Sequence, residues 1–433
     1  MLKRISLDEV RLGMFIQKLE GSWLKHPFWK TKFVISDERQ LEDLMASDLD
    51  GIVIDVSKGR DVDVPHPRRS LQAGAPSPAL AHAAARARPP ERPAFANPRP
   101  ISFGTRGSSP QHASMRREFG TAKRIAGHAE KATSRIFLES RLGKAINPQS
   151  VEPVVDEIFE SIQRDANAFG GLMRCKSGAP SVYRHSVAVS ALMVSLAIRM
   201  KLHPRDIRIA GLAGLLMDIG QAHLEASSAE AAGERHGGAV DLQRRHVVLG
   251  HEILSASTEL PEEVRRVCLY HHERLDGSGF PLGLRDDKID SFSRMAAICD
   301  TFDELVSLDG GGPLLDPARA LQNLADARGK FDPEILNFFI DSVGTFPIGS
   351  IVELRSGKLA MIVCSDAEGS DLPTVRTFYS LVSNKPLRGE NIDLRNCYGQ
   401  DKIVATASLR GLDIRQPETL RERLITAAIK DDF

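Results

Sequence analysis

His271-His272-Glu273-Arg274-Leu275-Asp276-Gly277-Ser278-Gly279-Phe280-Pro281 follows an apolar segment with a helical pattern that begins at Val264. Two adjacent imidazoles at a helix end can bind one transition-metal ion or two neighbouring ones. The glycines behind them permit positive φ angles and close approach of the backbone to a ligand. A polar helix end followed by a loop would explain one isolated histidine. A histidine pair with this loop instead predicts a ligand site in a helical fold, provided that other parts of the chain supply further ligands.

Composition limits what the protein can be. Its 433 residues suffice for about two to four domains, and 57 basic side chains balance 57 acidic ones. This balance argues against a general nucleic-acid binder. The longest apolar run, 210–217, is shorter than the roughly 18–20 residues that span a bilayer, so membrane insertion is not expected. The five cysteines lack paired spacing and the N-terminus lacks a signal-peptide pattern, which favours a cytoplasmic protein.

The first quarter of the chain divides into two parts. Residues 1–61 predict a small α/β N-terminal module, with strands at 10–19, 33–35 and 51–55 and a helix at 39–46. An aromatic group there, Trp23, Phe28 and Trp29, is interpreted as part of its core. Residues 62–115 contain ten of the 24 prolines and seven arginines, and predict a disordered linker because they can bury little apolar surface.

The rest of the chain changes from a helical to a strand pattern. Residues 116–342 predict a mainly α-helical domain, with helices at 122–138, 151–169 (Pro153 in its first turn), 183–200, 204–217, 242–256, 261–272, 291–308 and 317–327. Residues 346–433 predict a small β-rich C-terminal extension, with strands at 350–354, 360–364, 375–380 and 403–407 and a terminal helix near 418–429. The predicted fold class is therefore multidomain and mainly α-helical.

Further histidines and aspartates fall on the apolar faces of the predicted helices. His185, for example, shares a face with Val189 and Leu196 by i, i+4 and i+11 spacing. Each such residue alone would be explained as a core polar group with a hydrogen-bond partner. Five helices that all place nitrogen or oxygen ligands on the inward face favour one shared metal site. The residues concerned are His185, Asp218, His246, His271, His272 and Asp300.

The order of these motifs resembles the HD-GYP family, a branch of the HD phosphohydrolases. The resemblance covers roughly 150–342, and residues 1–61 are similar to a small domain of unknown function that often precedes HD-GYP domains. It implies a helical HD-type domain that hydrolyses the bacterial second messenger cyclic di-GMP to pGpG or GMP. It also implies two divalent metal ions, iron or manganese, which activate water for in-line attack on the phosphorus.

Roles of individual residues follow from the same resemblance. One metal site would use Asp218, His246, His271 and His272, whereas the other would keep His185, Asp218 and Asp300, lack one of its four ligands, and be weak. The residues expected to take part in catalysis are Asp218, His246 and Asp276. The residues expected to contact the substrate lie in the signature loop and are Arg274, Gly277, Gly279, Phe280 and Pro281.

The chain also departs from the family pattern. Met217 stands where the family has the histidine of the HD pair, and Gln221 stands where it has a lysine. Phe280 replaces a tyrosine, and Ser181 replaces a glutamate that trinuclear members have, so at most two ions are expected. The segment 309–313 lacks the cations that follow the last aspartate in the family.

Two functions are left open by these observations. The first is hydrolysis of cyclic di-GMP, weakened because each lost electrostatic stabiliser typically costs on the order of 10²–10³ in rate. The second is a catalytically inactive domain that binds the nucleotide, or a partner such as a diguanylate cyclase-type domain. A metal-free helical scaffold is a third and less favoured interpretation. The retained ligands favour hydrolysis, whereas Met217 and Gln221 favour binding alone.

Overall fold

Three hydrophobic cores organise the part of the chain that the structure describes. The computed structural model describes residues 1–21, 26–28, 32–62, 115–176, 181–230, 239–307, 315–365, 372–395, 397, 401–409, 412 and 414–431. One core lies in the N-terminal module, one among the helices and one under the C-terminal sheet, which confirms the predicted fold class. The predicted linker (apart from its end residues 62 and 115), the segment 309–313, Trp23 and Trp29 lie outside the described residues. The boundaries between the units remain predictions.

The N-terminal module is an antiparallel sheet with one helix. Its elements are β1 (Leu2–Ile5), β2 (Phe15–Glu20), β3 (Phe33–Val34), α1 (Glu38–Met45) and β4 (Gly51–Asp55), and the strand order is β1-β4-β2-β3. Ile16 and Ile54 are fully buried in its core. The sequence patterns do not predict β1, and they start β2 too early. The chain still turns at Gly13, whose φ of 86° lies in the region that favours glycine.

The helical domain has more helices than its sequence pattern indicates. The helices are α2 (Met115–Arg141), α3 (Pro148–Arg164), α4 (Ala166–Cys175), α5 (Val182–Arg199), α6 (Pro204–Leu216), α7 (Ile219–Glu230), α8 (Ala239–Ser255), α9 (Glu262–Tyr270), α10 (Ser291–Val306), α11 (Pro317–Asp326) and α12 (Pro333–Val343). The sequence pattern does not predict α7 and α12. Within the described residues, no helix is both long and apolar enough to cross a membrane.

The predicted single helix 151–169 is wrong, because the chain breaks into α3 and α4 at Asp165. Asp165 has an extended backbone (φ −160°, ψ 102°), and its side chain accepts hydrogen bonds from the backbone N–H groups of Asn167 and Ala168. It thereby caps the start of α4. Pro148, not Pro153, occupies the first turn of α3. The apolar periodicity continues across the break because both helices pack on the same core.

Glycines allow the helices around the candidate site to approach closely. A Cβ at Gly220 of α7 would lie 2.1 Å from the carbonyl oxygen of His246 in α8. A Cβ at Gly250 of α8 would lie 2.6 Å from the Sγ of Cys268 in α9. No side chain fits at such distances, so glycine is required for this packing. The close contacts bring the start of α7 and the last turns of α9 against α8.

The C-terminal extension is an antiparallel sheet packed on the helical domain. Its strands are β5 (Ile351–Leu354), β6 (Lys358–Cys364), β7 (Thr374–Ser380), β8 (Lys385–Pro386), β9 (Asn391–Asp393) and β10 (Ile403–Thr406), followed by α13 (Leu420–Lys430). The sequence predicts four of these strands and misses the short β8 and β9. The Phe119 ring of α2 is buried in the core beneath this sheet.

One buried arginine joins the N-terminal module to the helical domain. Arg208 of α6 donates hydrogen bonds of 2.7 Å to the carbonyl oxygens of His26 and Phe28. The Phe28 ring packs edge-on against Phe33, at a centroid distance of 5.0 Å. Phe28 therefore belongs to the core of its module, as the sequence indicates, and its backbone also contacts α6.

Candidate metal centre

Six side chains from five parts of the helical domain meet in one buried hollow. They come from α5, the turn between α6 and α7, α8, the end of α9, and α10, and they are His185, Asp218, His246, His271, His272 and Asp300. The hollow opens into a cavity of about 110 Å³. Its lining is Ser181, Val182, His185, Asp218, Gln221, Glu225, His246, His272, Asp300 and Glu304.

The first half of the site, the three-histidine cluster, consists of His246, His271 and His272 around Asp218. The Nε2 atoms of His246 and His271 lie 3.3 Å apart. They lie 3.4 and 3.5 Å, respectively, from the Oδ1 atom of Asp218. The three imidazoles offer nitrogen atoms that all lie within 4.8 Å of one another. This arrangement could hold one metal ion.

The second half, the carboxylate cluster, consists of His185, Asp218 and Asp300. The Nε2 atom of His185 lies 3.3 Å from Asp218 Oδ2 and 3.1 Å from Asp300 Oδ1. All three side chains are buried and offer ligand atoms within 4.8 Å of one another. Asp218 therefore turns one oxygen toward each cluster, as a residue that bridges two ions would.

The imidazoles are oriented by groups behind them. His185 Nδ1 lies 2.8 Å from Asp303 Oδ2, so a proton on Nδ1 donates to that carboxylate and leaves Nε2 for a ligand. His271 Nδ1 lies 3.1 Å from the carbonyl oxygens of Val267 and Cys268, with the same consequence. Orientation by a hydrogen bond on the opposite nitrogen is typical of metal-binding histidines.

Charged neighbours move the pKa values of the site apart. Burial lowers the pKa of His185, but hydrogen bonds to Asp218 and two further aspartates outweigh it and hold that pKa well above its ordinary value. Burial first, and the charge of His271 second, place the pKa of His272 well below its ordinary value. His272 would therefore meet a metal ion as a neutral imidazole, whereas the ion would displace a proton from His185.

The donor set and its spacing fit metal ions. With bonds of about 2.1 Å, neighbouring ligand atoms of one ion lie roughly 3.0–3.4 Å apart, close to the 3.1–3.5 Å separations in the two clusters. Among the described residues, the buried Oδ2 atoms of Asp218 and Asp300 have no hydrogen-bond partner of good geometry, because His185 Nε2, 3.3 Å from the first, lies closer to Asp300 Oδ1. A buried carboxylate oxygen without a partner is costly, and a cation would satisfy both.

The signature loop is fixed against the three-histidine cluster. Glu273, which is buried, accepts hydrogen bonds from the backbone N–H groups of Leu282 (2.7 Å) and Leu284 (2.9 Å). A Cβ at Gly279 would lie 2.4 Å from the carbonyl oxygen of His272, so only glycine fits. The Phe280 ring then lies over the His272 ring, with centroids 4.6 Å apart. The loop thus forms one wall beside the site.

None of the signature-loop residues with predicted roles lines the cavity, and neither does the predicted ligand His271; the loop residues are Arg274, Asp276, Gly277, Gly279, Phe280 and Pro281. Arg274 donates to the carbonyl oxygens of His271 (3.0 Å) and Glu273 (2.9 Å) and to Thr301 Oγ1 (3.1 Å). The Oδ1 atom of Asp276 accepts a hydrogen bond of 2.9 Å from the backbone N–H of Ser278. Hydrogen bonds from the hydroxyl and N–H of Ser278 lower the pKa of Asp276. Both side chains brace the loop, and their predicted substrate and catalytic roles stay predictions.

The departures from the family pattern have structural counterparts. The Met217 side chain is fully buried in the helical core and does not line the cavity. Gln221 does line it, and its Nε2 donates a 3.0 Å hydrogen bond to Glu225. The carboxylate cluster therefore has no fourth ligand from position 217. Among the described lining residues there is no lysine or arginine.

Comparisons with known proteins assign the chain to a family. A model of the HD domain matches residues 174–335, and a model of a domain of unknown function, DUF3391, matches residues 2–151. Cyclic di-GMP phosphodiesterase PA4108 of Pseudomonas aeruginosa is 35% identical over 405 residues, which cover 93% of this chain and 92% of that protein. The chain belongs to the HD-GYP family. The family resemblance drawn from the motifs is confirmed.

Two shorter matches accompany it. Cyclic di-GMP phosphodiesterase PdeB of Borreliella burgdorferi is 26% identical over 199 residues, 44% of this HD-GYP protein and 50% of that relative. Cyclic di-GMP phosphodiesterase response regulator RpfG of Xanthomonas campestris pv. campestris is 29% identical over 204 residues, 47% of this chain and 51% of that relative. The chain spans about half the length of these two relatives.

Sequence reasoning missed three acidic residues of this HD-GYP site. Asp303 orients His185, and Glu273 holds the signature loop. Glu304 lines the cavity one turn after Asp300, and burial together with the charge of Asp300 raises its pKa to about 8. The spacing of Asp303 and Glu304 from Asp300, three and four residues, is the one signal that could have placed them on the same helical face.

Proposed function

We propose that this chain is a metal-dependent phosphodiesterase that hydrolyses cyclic di-GMP to pGpG or GMP. The observation that carries this proposal is the convergence of six ligand side chains in two clusters that share Asp218. The similarity to PA4108, which extends over nearly the full length of both chains, supports cyclic di-GMP as the substrate. The comparisons give no support to the binding-only alternative.

The proposed cofactors are two divalent ions, iron or manganese. The ligands are imidazole nitrogens and carboxylate oxygens without a thiolate, a set that suits these metals. When bound, the ions would lower the pKa of a coordinated water and offset negative charge on the phosphoryl oxygens. We propose that the carboxylate cluster is the weaker site, because Met217 contributes its side chain to the core and not to the cavity.

The reaction adds water across one phosphodiester bond. The water oxygen forms a bond to phosphorus, the bond to the ribose oxygen breaks, and that oxygen leaves with a proton. Asp218 and His246 line the cavity at the two clusters and are proposed as catalytic residues. Asp303 keeps the Nε2 atom of His185 directed at the site. Asp276, also proposed as catalytic, would act from the loop outside the cavity lining.

The signature loop is the proposed substrate contact. The Phe280 ring lies beside His272, and Pro281 lines the adjoining groove. Gly277 and Gly279 have no side chain, and we propose that the loop backbone approaches the substrate there. Arg274 is proposed to act through the loop conformation that its hydrogen bonds hold. A diguanylate cyclase-type domain as partner also remains a prediction.

Measurement of bound metal and of product formation on the purified full-length chain tests this function. Protein purified without chelator and loaded with Fe²⁺ or Mn²⁺ is expected to convert cyclic di-GMP to pGpG or GMP, separated by anion-exchange chromatography. Treatment with chelator should abolish product formation, and added metal should restore it. Metal-loaded protein that binds the nucleotide without forming product would overturn the proposal in favour of a binding module.

A further inference from the structure

A second concave surface lies beside the metal cavity. Its lining contains arginines and apolar side chains, whereas the cavity is lined mainly by histidines and carboxyl groups. The metal cavity, about 110 Å³, is much smaller than the roughly 300–1,000 Å³ of sites that enclose drug-sized ligands. A cyclic dinucleotide with two purine bases and two phosphates must therefore extend beyond it. A groove of about 500 Å³ lies beside it on the outer side of α8. This guanine groove, as we name it, has charged residues Arg244, Arg245 and Glu252 and apolar residues Leu224, Val248 and Pro281.

The cavity and the guanine groove are lined by different residues of the same two helices, α7 and α8. On α7, Gln221 faces the cavity and Leu224 faces the groove. On α8, His246 faces the cavity while its neighbour Arg245 faces the groove. Pro281 of the signature loop lines the groove, and the preceding Phe280 packs on His272, which lines the cavity. A ligand held at the metal clusters would therefore pass the Phe280 ring to reach the groove.

Stacked groups connect the two sites directly. The Phe280 ring lies over His272 of the three-histidine cluster, with centroids 4.6 Å apart. The guanidinium carbon of Arg244 lies 5.9 Å from the centroid of the same Phe280 ring. A planar cation that packs on an aromatic ring is a common platform for a nucleobase. Arg244 is thus placed one ring away from the proposed metal centre.

The charges of the groove match a guanine nucleotide. Guanine accepts hydrogen bonds at O6 and N7, for which arginine is the commonest partner, and donates from N1 and N2, which a carboxylate accepts. Arg244, Val248 and Glu252 follow i, i+4, i+8 spacing and so lie on one face of α8, along about 12 Å of helix. No ion pair of Arg244, Arg245 or Glu252 occurs among the described residues. The three charged groups are therefore available to a ligand.

We propose that the guanine groove binds one guanine nucleotide of the cyclic dinucleotide while the other phosphodiester lies at the metal clusters. Arg244 and Arg245 supply cations to the base and the second phosphate, and Glu252 accepts from the guanine N1 and N2 donors. This assignment rests on the function proposed above. It also accounts for the absence of lysine and arginine among the described residues of the cavity lining, because the arginines lie in the neighbouring groove.

Steady-state kinetics with a large and a small substrate test the arginines. Arg244→Ala and Arg245→Ala are each expected to raise the KM for cyclic di-GMP about tenfold, with kcat and metal content unchanged. Both variants should hydrolyse bis(p-nitrophenyl) phosphate at the rate of the unaltered protein, because that diester is too small to reach the groove. Arg199→Ala, which removes an exposed arginine of α5 away from the site, is the control and should change none of these values.

The base assignment is tested by comparing purines. The unaltered protein should prefer cyclic di-GMP to cyclic di-AMP, and Glu252→Gln should reduce the ratio of the two kcat/KM values about tenfold. If the unaltered protein hydrolyses cyclic di-GMP and the groove variants keep its KM and its base preference, the groove proposal is wrong while the function stands. If the unaltered, metal-loaded protein cleaves bis(p-nitrophenyl) phosphate but not cyclic di-GMP, the proposed function and the groove proposal both fall.

Discussion

The two halves of the candidate metal centre share Asp218 but differ in how well the chain completes them. The three-histidine cluster has its full set of imidazoles around one oxygen of Asp218. The carboxylate cluster has one imidazole, and the position at which the resemblance predicts a fourth ligand is occupied by Met217, buried in the apolar core. The predicted loss of a ligand therefore affects one half only. A two-site centre can degenerate one site at a time, because each site is built largely from different helices.

The surroundings of the two clusters differ in the same direction. The three-histidine cluster is covered by the signature loop through Phe280, while His185 of the carboxylate cluster is within hydrogen-bonding distance of Asp300 and Asp303. Glu304 adds a further carboxyl group to the cavity that the carboxylate cluster faces, and its pKa, raised to about 8, keeps it protonated at neutral pH until a cation displaces the proton. One half is thus completed by imidazoles, and the other is surrounded by further carboxyl groups. Such groups raise affinity for any divalent cation without the specificity that a full ligand set gives.

The largest effect is expected from Asp218→Asn, because this residue serves both halves. The change removes the charge that bridges the clusters, so both metal ions should be lost and the rate should fall by at least about 10³. Metal content by mass spectrometry and product formation check this. Asp206→Asn, an aspartate in the first turn of α6 away from the site, is the control. Retention of both ions by Asp218→Asn would show that the clusters are independent.

A matched pair of histidine variants separates the two halves. His185→Gln should leave about one ion per chain, because the three-histidine cluster stays complete, whereas His271→Gln should leave clearly less, because only the weaker cluster remains. Both should reduce the rate at least about 100-fold. Melting temperatures with and without metal must accompany the measurement, since both histidines are buried. Equal metal loss in the two variants would remove the asymmetry on which the comparison depends.

The sequence predicts the candidate ligand residues better than it predicts the residues that orient them. His185, His246 and Asp300 were identifiable because apolar neighbours at helical spacing place them on inward faces. Asp303 lies on the same helical face as Asp300, but its role in orienting His185 was not identifiable, because that contact joins residues 118 positions apart in the chain. The role of Glu273 was not predicted for another reason. Its hydrogen-bond partners are backbone N–H groups, which every residue type except proline has, so the sequence does not reveal them. Contacts between distant parts of the chain decide these roles.

The helix boundaries show the same limit. The 219–230 segment is rich in alanine and serine and lacks a strong apolar stripe, so its pattern does not predict the helix α7. Its helical structure depends on close packing against α8, which Gly220 permits. In contrast, the predicted strands of the C-terminal sheet were placed within a few residues, because they are runs of β-forming residues between turn segments, and β6 and β7 are buried along almost their whole length. Local sequence patterns are therefore sufficient to place an element when its core is formed by residues nearby in the chain.

A gain-of-ligand variant, Met217→His, tests the depleted half directly. With metal present, the new imidazole should raise the affinity of the carboxylate cluster about tenfold, and Gln221→Lys added to it should raise activity further by supplying the missing cation. Without metal, the same change buries an imidazole in the apolar core and should lower the free energy of unfolding by about 1–3 kcal/mol. Met217→Leu conserves volume and should change neither quantity appreciably. A destabilised protein that metal fails to rescue would place the new side chain away from the cluster.

The smallest expected effect concerns these further carboxyl groups. Glu304→Gln removes one of them from the cavity near Asp300 and should weaken metal binding at the carboxylate cluster only a few-fold, because the ion must first displace the proton that the raised pKa keeps on Glu304, and the three-histidine cluster should be unaffected. Glu225→Gln is the matched control, because it also lines the cavity but already accepts a hydrogen bond from Gln221. Isothermal titration with Mn²⁺ measures both. Equal weakening in the two variants would mean that total charge alone sets the affinity of the depleted half. Weakening in Glu304→Gln alone would mean that this carboxylate partly replaces the ligand absent at Met217.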